Sequence, residues 1–251
     1  MRAFNVDKRT VYVCIFSSIL YDMASIPVAS PKYRQSLKQA LQGAPPGPPS
    51  PVRDRVPVMG CPWPGEIQAG QLYMWGRGSQ GQLGQEKVKY PKDNCAIPYP
   101  VPNFNSIVWV ACGGGQQGCT ACVNSIGQLF TFGNNYGFRL GHKNLKTERD
   151  HARTPRQVKS LDHDEIAQVA CGLHHMLALS RSGTVYSWGT NRSGCLGCGV
   201  NDTKHVQREA KTVNMVDGIL WISAESDYSG CVNKTGQLFM WGGNTWGAGK
   251  K

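Results

Sequence analysis

Gly183-Thr-Val-Tyr-Ser-Trp-Gly189 decides the fold of this chain, because it is written four times. The other copies are Gly70-Gln-Leu-Tyr-Met-Trp-Gly76, Gly127-Gln-Leu-Phe-Thr-Phe-Gly133 and Gly236-Gln-Leu-Phe-Met-Trp-Gly242. Their opening glycines are 57, 56 and 53 residues apart. A repeat of this length at a nearly fixed period marks one supersecondary unit copied along the chain. Such a unit cannot bury its apolar face alone and must stack on its neighbours.

More than the phrase repeats. A Gly-rich turn follows it in Gly76-Arg-Gly-Ser-Gln-Gly-Gln-Leu-Gly84, Gly133-Asn-Asn-Tyr-Gly-Phe-Arg-Leu-Gly141 and Gly189-Thr-Asn-Arg-Ser-Gly-Cys-Leu-Gly197. A polar stretch of variable length comes next, with Pro98/Pro100 before Val101 and Pro155 before Val158. Then come two apolar runs. The first is Ile107–Gly113, Ile166–Gly172 and Ile219–Glu225; the second is Cys119–Val123, His175–Leu179 and Tyr228–Val232. In each phrase the aromatics stand at i and i+2, on one face of a strand. Tyr73/Trp75, Phe130/Phe132, Tyr186/Trp188 and Phe239/Trp241 are therefore expected to form an aromatic ladder from unit to unit. No stretch of residues 67–251 carries a useful helical stripe, and several short strands per unit joined by Gly-rich turns make a propeller blade.

These units resemble the regulator of chromosome condensation repeat family, over about residues 68–251. The copy that carries the resemblance best is Val169-Ala-Cys-Gly172, His175-Met-Leu-Ala-Leu179, Gly183–Gly189 and Asn191-Arg-Ser-Gly-Cys-Leu-Gly197. The repeat signature is Trp75, Phe132, Trp188, Trp241, Gly76, Gly133, Gly189, Gly242 and His175. The resemblance implies a seven-bladed β-propeller that works as a binding platform; the founding member is an exchange factor for the small GTPase Ran and docks on chromatin. Departures are Glu225 in place of Gly113 and Gly172, Tyr228 and Cys119 in place of the family His at His175, and about three extra residues around Gly114–Gly118. A seven-blade ring turns about 51° per blade, so three periods span about 155°. The expectation is an all-β chain: an incomplete β-propeller of about three four-stranded blades behind a mostly disordered N-terminal region. Its open sheet edges would favour self-association.

The expected division is an irregular leader over residues 1–42, a Pro-rich linker over 43–67 and repeats over 68–251. More than half of the 15 prolines fall between residues 43 and 64, where no strand ladder can be built. Val11–Leu20 is apolar but too short to span a membrane as a helix. The resemblance implies a cytoplasmic or nuclear protein; a secretory leader with sequons at Asn191, Asn201 and Asn233 is the second reading. Net charge is +11. The densest basic run is Arg139, Lys143, Lys146, Arg149, Arg153, Arg156 and Lys159, against only Glu148 and Asp150. It reads as an inter-strand loop, either simply solvated or a contact patch for phosphates or an acidic partner. No aromatic residue lies between Lys143 and Lys159, which argues against stacking on single-stranded bases.

Ten cysteines include the pairs Cys119/Cys122 and Cys195/Cys198, a spacing that suggests zinc. The repeat register argues instead for small, buried, reduced thiols: Cys122 matches Ala178 and Cys231, and Cys112 matches Cys171 and Ala224. His175 matches the family His, a hydrogen-bonding residue between strands. There is no Walker loop, no His-Glu-x-x-His and no paired-carboxylate signature. The chain is therefore expected to have no active site, metal or cofactor. Its function reads as a non-catalytic protein-interaction scaffold; the alternatives are guanine nucleotide exchange on a Ran-type GTPase, and chromatin or nucleosome binding through basic loops.

Overall fold

A computed structural model describes residues 10–12, 69–85, 94–199, 204–214 and 218–243. The expected linker and most of the leader lie outside them. The strands are β1 (Thr10–Tyr12), β2 (Gln71–Arg77), β3 (Asn94–Pro100), β4 (Ile107–Gly113), β5 (Cys119–Asn124), β6 (Leu129–Asn134) and β7 (His151–Gln157). They continue as β8 (Ile166–Cys171), β9 (His175–Ser180), β10 (Val185–Thr190), β11 (Val206–Thr212), β12 (Ile219–Glu225), β13 (Tyr228–Asn233) and β14 (Leu238–Gly242). Among the described residues helix is confined to four single 3-10 turns.

Two sheets are complete antiparallel meanders, β4-β5-β6-β7 and β8-β9-β10-β11. β12-β13-β14 is a three-stranded blade, and β1-β2-β3 brackets the first phrase strand, with β1 pairing parallel to β2. The apolar runs make the two inner strands of each blade, and the phrase makes the third. The outer strand comes from the polar stretch, which contains Pro in β3 and β7 but not in β11 and which no apolar alternation marks. β4, β8 and β12 lie side by side at the centre of the arc. The buried Gln168 of β8 ties two of them, donating to Leu220 O at 3.3 Å and accepting from Ile222 N–H at 3.2 Å. Trp109 of β4 donates to Val169 O at 2.9 Å and meets Trp221 of β12 edge to face, with centroids 5.5 Å apart.

The phrase is explained by two close approaches. Its final glycine sits where the outer strand slips by two residues, between Thr131 and Gly133 and between Ser187 and Gly189. Gly133 and Gly189 have φ of 105° and 109°, and a Cβ on Gly189 would lie 2.4 Å from His174 O. The bulge thus needs a residue with no side chain. The second approach joins the units. A Cβ on Gly84, Gly141 or Gly197 would strike Phe132, Trp188 or Trp241 respectively, at 2.7 to 2.9 Å. Each turn therefore closes with a glycine because the next unit's aromatic lies flat against it.

A carbonyl in the same turn fixes that ring. Trp188 donates its indole N–H to Arg139 O at 2.7 Å, and Trp241 donates to Cys195 O at 2.8 Å. Phe132 has no N–H, and there the hydroxyl of Thr120 donates to Gln82 O at 2.8 Å, the matching acceptor. Trp188 and Phe132 are fully buried, while Trp75 and Trp241 are half-buried. The expected ladder is thus a relay of ring, turn and ring. Two phrase aromatics meet rings outside the ladder, Phe130 with Phe104 at 5.1 Å and Tyr186 with His163 at 6.0 Å.

Trp188→Ala is expected to cost about 3–5 kcal/mol by cavity formation. Trp188→Phe orphans Arg139 O, and Met176 stands where Thr120 stands in the preceding unit. In a Trp188→Phe/Met176→Thr cycle, urea titrations should give a favourable coupling of about 1 kcal/mol. A coupling near zero would mean that the carbonyl does not need its donor.

Candidate interaction surfaces

Loops alternate between two rims of the arc. One rim carries residues 114–118, 135–150, 172–174, 191–199, 204–205 and 226–227. The other carries 101–106, 125–128, 158–165, 181–184, 213–214, 218 and 234–237. The basic run from Arg139 to Lys159 does not stay in one loop. Lys143, Lys146 and Arg149 lie exposed on the first rim. Arg153 and Arg156 belong to the outer strand β7, and Lys159 starts a 3-10 turn on the second rim.

Arg139 leaves the patch altogether, which corrects the sequence reading. Its side chain is 0% exposed. Nε donates to Asn134 O at 3.1 Å, and Nη2 to Asn134 Oδ1 at 3.2 Å. The remaining N–H groups reach Leu173 O and Gln117 O, in the loops of its own and the next blade. A guanidinium can satisfy several diverging carbonyls at once, and here it clamps two blades. Among the described residues no carboxylate pairs with it. Arg139→Lys, with one compact ammonium, is expected to cost about 1–3 kcal/mol by leaving buried carbonyls unpaired.

The neighbouring Phe138 has φ of 56° and fills a place that Gly81 and Gly194 hold in the other turns. A phenylalanine there is strained. Arg208 of β11 lies over its ring, 4.0 Å from the centroid, a cation–π contact. Tyr136 in the same turn packs on His174, centroids 5.1 Å apart.

His175 is buried and its Nε2 lies 2.8 Å from Ser229 Oγ. Ser229 donates onward to Cys195 O at 2.8 Å, so Nε2 carries the proton and the bond links two blades. Its Nδ1 is buried without a partner, against Gly172. Burial holds the imidazole neutral, down to a pKa of about 4. Cys119, at the matching place one blade earlier, is buried beside Cys171, whose thiol hydrogen bond, together with Arg139, draws its pKa down to about 7. Cys122 lies among core residues, and burial pushes its thiol well above the usual range. No disulfide joins the described cysteines, and among the described residues no three His, Cys, Asp or Glu gather as metal ligands. Asn191 and Asn233 are 1% and 4% exposed, and their side chains bond within turns, so these two sequons are closed to a glycan. Asn201 lies outside the described residues.

Two grooves open on the arc. One, of about 720 Å³, is polar and acidic on the second rim, with Asp162, Asp164 and Glu165 around Arg181. The other, of about 510 Å³, lies between the outer strands of the two complete blades and is lined by Lys143, Arg156, Lys159 and Glu209. Among the described residues no helix is long and apolar enough to cross a membrane.

The regulator of chromosome condensation (RCC1) repeat model matches residues 69–119, 127–179 and 182–227, more than half of the chain. The chain therefore belongs to the RCC1 repeat family. It is 30% identical to the human E3 ubiquitin-protein ligase HERC2 over 70% of this chain and 4% of that protein. It is 31% identical to the Ultraviolet-B receptor UVR8 of Arabidopsis thaliana over 69% of this chain and 37% of the receptor. The chain thus spans well under half the length of these relatives. Yeast RCC1 (Prp20), solved bound to Kap60, superposes with a TM-score of 0.58 at 21% identity, over 70% of this chain and 40% of that one. Human WBSCR16 gives 0.57 at 20% identity, over 69% and 42%. At these identities the structural likeness speaks for the fold alone.

The buried imidazoles predict a pH dependence. Burial holds His142, like His175, at a pKa of about 4 against an ordinary 6.5. Between these values the unfolded chain binds protons that the folded chain refuses. Stability should therefore fall as pH drops from about 6.5 to about 4 and be flat with respect to these groups above that window. Urea midpoints across the window should fall less steeply for His142→Asn, and an unchanged slope would exclude His142 as a contributor.

Proposed function

We propose that this chain is a non-catalytic protein-interaction platform whose contacts are made by its rim loops. The observation that carries this reading is where the chemically capable side chains go. His175 links Ser229 to Cys195, Arg139 clamps two blades, and Cys119 and Cys122 are buried in the blade packing. What remains outward is a set of loops that differ from unit to unit, and loops held by a rigid scaffold are where binding surfaces arise. The relatives point the same way. A ubiquitin ligase and a light receptor share with this chain little beyond the repeats, which suits a shared binding part and separate activities.

Affinity capture followed by lysine crosslinking is expected to place partner contacts on Lys143, Lys146, Lys204 or Lys234, all exposed in rim loops. Crosslinks confined to Lys8, Lys32 and Lys38 would move the binding function to the leader. Nucleotide exchange on a Ran-type GTPase is a second reading, which membership of the repeat family suggests. Release of fluorescent GDP from such a GTPase should be unchanged by this chain; acceleration would replace the platform with an exchange factor.

A further inference from the structure

The outer strands of the two complete blades carry basic residues at matching places. Gly133 pairs with Ala152 and Gly189 with Gln207, so Arg153 and Arg208 are each the first residue inside the bulge. Thr131 pairs with Arg156 and Ser187 with Lys211, which matches the second pair. The groove of about 510 Å³ runs between these strands, from Lys143 and Asn144 on one rim to Lys159 and Ser160 on the other.

The charges in it are available. Lys143 and Lys159 have side chains 78% and 75% exposed, paired with Glu209 at 3.0 Å and Asp162 at 3.3 Å. Exposed pairs of this kind contribute little to stability, so an incoming carboxylate can displace them. Among the described residues no carboxylate pairs with Arg156. His142, in the groove wall, is neutral at ordinary pH because burial and the nearby Arg156 disfavour its charged form. Arg208, on β11 but outside the groove's lining, is held by its contact with the Phe138 ring. Phe138 keeps a costly backbone conformation there where the other turns have glycine.

We propose that the groove between β7 and β11 is a docking site for an acidic polypeptide segment, rich in Asp and Glu, in an extended conformation. This rests on the interaction-platform reading and names the surface and the class of partner. The shape separates it from nucleic acid. The site is a concave cleft between strands, which single carboxylate side chains can enter and a duplex cannot. The rings of the adjoining turn are covered, Phe138 by Arg208 and Tyr136 by His174, which leaves little ring face for unpaired bases to stack on. Several cations along a groove also disfavour a basic partner segment.

The test is fluorescence anisotropy with the full chain and three labelled probes: a Glu-rich peptide, a DNA duplex and oligothymidylate. The peptide should bind, weaken as salt is raised, and bind about tenfold or more weakly to Arg156→Glu/Lys159→Glu, with Arg77→Glu on another blade unaffected. The milder pair Lys143→Ala/Lys159→Ala, at exposed positions, should weaken binding severalfold with an unchanged melting temperature. The proposal is overturned if the peptide does not bind, if both groove variants bind it as the parent does, or if either nucleic acid binds more tightly with the same dependence on Arg156 and Lys159. Crosslinks to a partner elsewhere on the rims, with no peptide binding, would sink this site and leave the platform standing.

Discussion

The structure depends on one contact made again in each seam: an aromatic ring of one unit lying on the turn glycine of the unit before it. The contact is short enough that a methyl group on Gly141 would fall 2.9 Å from the Trp188 nitrogen. The indole N–H then donates to the carbonyl two residues earlier, which would otherwise be buried without a partner. Apolar burial, backbone satisfaction and blade spacing are therefore fixed together. The Phe132 seam makes the same point, since a threonine hydroxyl from another strand takes over the donor's task where the ring cannot supply it.

Polar side chains add a second layer of seam contacts, and these differ from one seam to the next. Between the two complete blades, Arg139 gathers carbonyls from both, and Cys119 meets Cys171. Between β9 and β13, His175 and Ser229 relay to Cys195. Side chains that in isolation suggest catalysis or metal binding are thereby committed to holding blades at a fixed angle. The seams use the closing glycines and certain carbonyls of the rim loops, so variation at the rims is left to the loops' other, outward side chains.

Charge follows a different logic. The basic residues of the most cationic stretch are contiguous in sequence but spread from one rim to the other, because β7 crosses the blade between them. The cations that share a groove therefore come from a loop, an outer strand and a 3-10 turn. The match of Arg153 and Arg156 on β7 with Arg208 and Lys211 on β11 is a property of register, not of sequence proximity.

The repeat phrase by itself determined the blades: the apolar runs ending at Gly113 and beginning at Cys119, His175 and Tyr228 became strands at almost those bounds. Local chemistry is enough there, because alternation and Gly placement act over a few residues. The inner-strand hydrogen-bonding role of His175 was legible from the resemblance to the repeat family, not from local alternation. The outer strands were not, since His151–Gln157 is polar and held by pairing to β6 rather than by burial. Nor was the fate of Arg139, which looks in sequence like one more surface cation of a basic loop. Only the stacking of two blades brought Asn134, Gln117 and Leu173 around it and took it from solvent. A residue's class is written in the chain, but its surroundings are set by contacts between units, which tertiary structure alone decides.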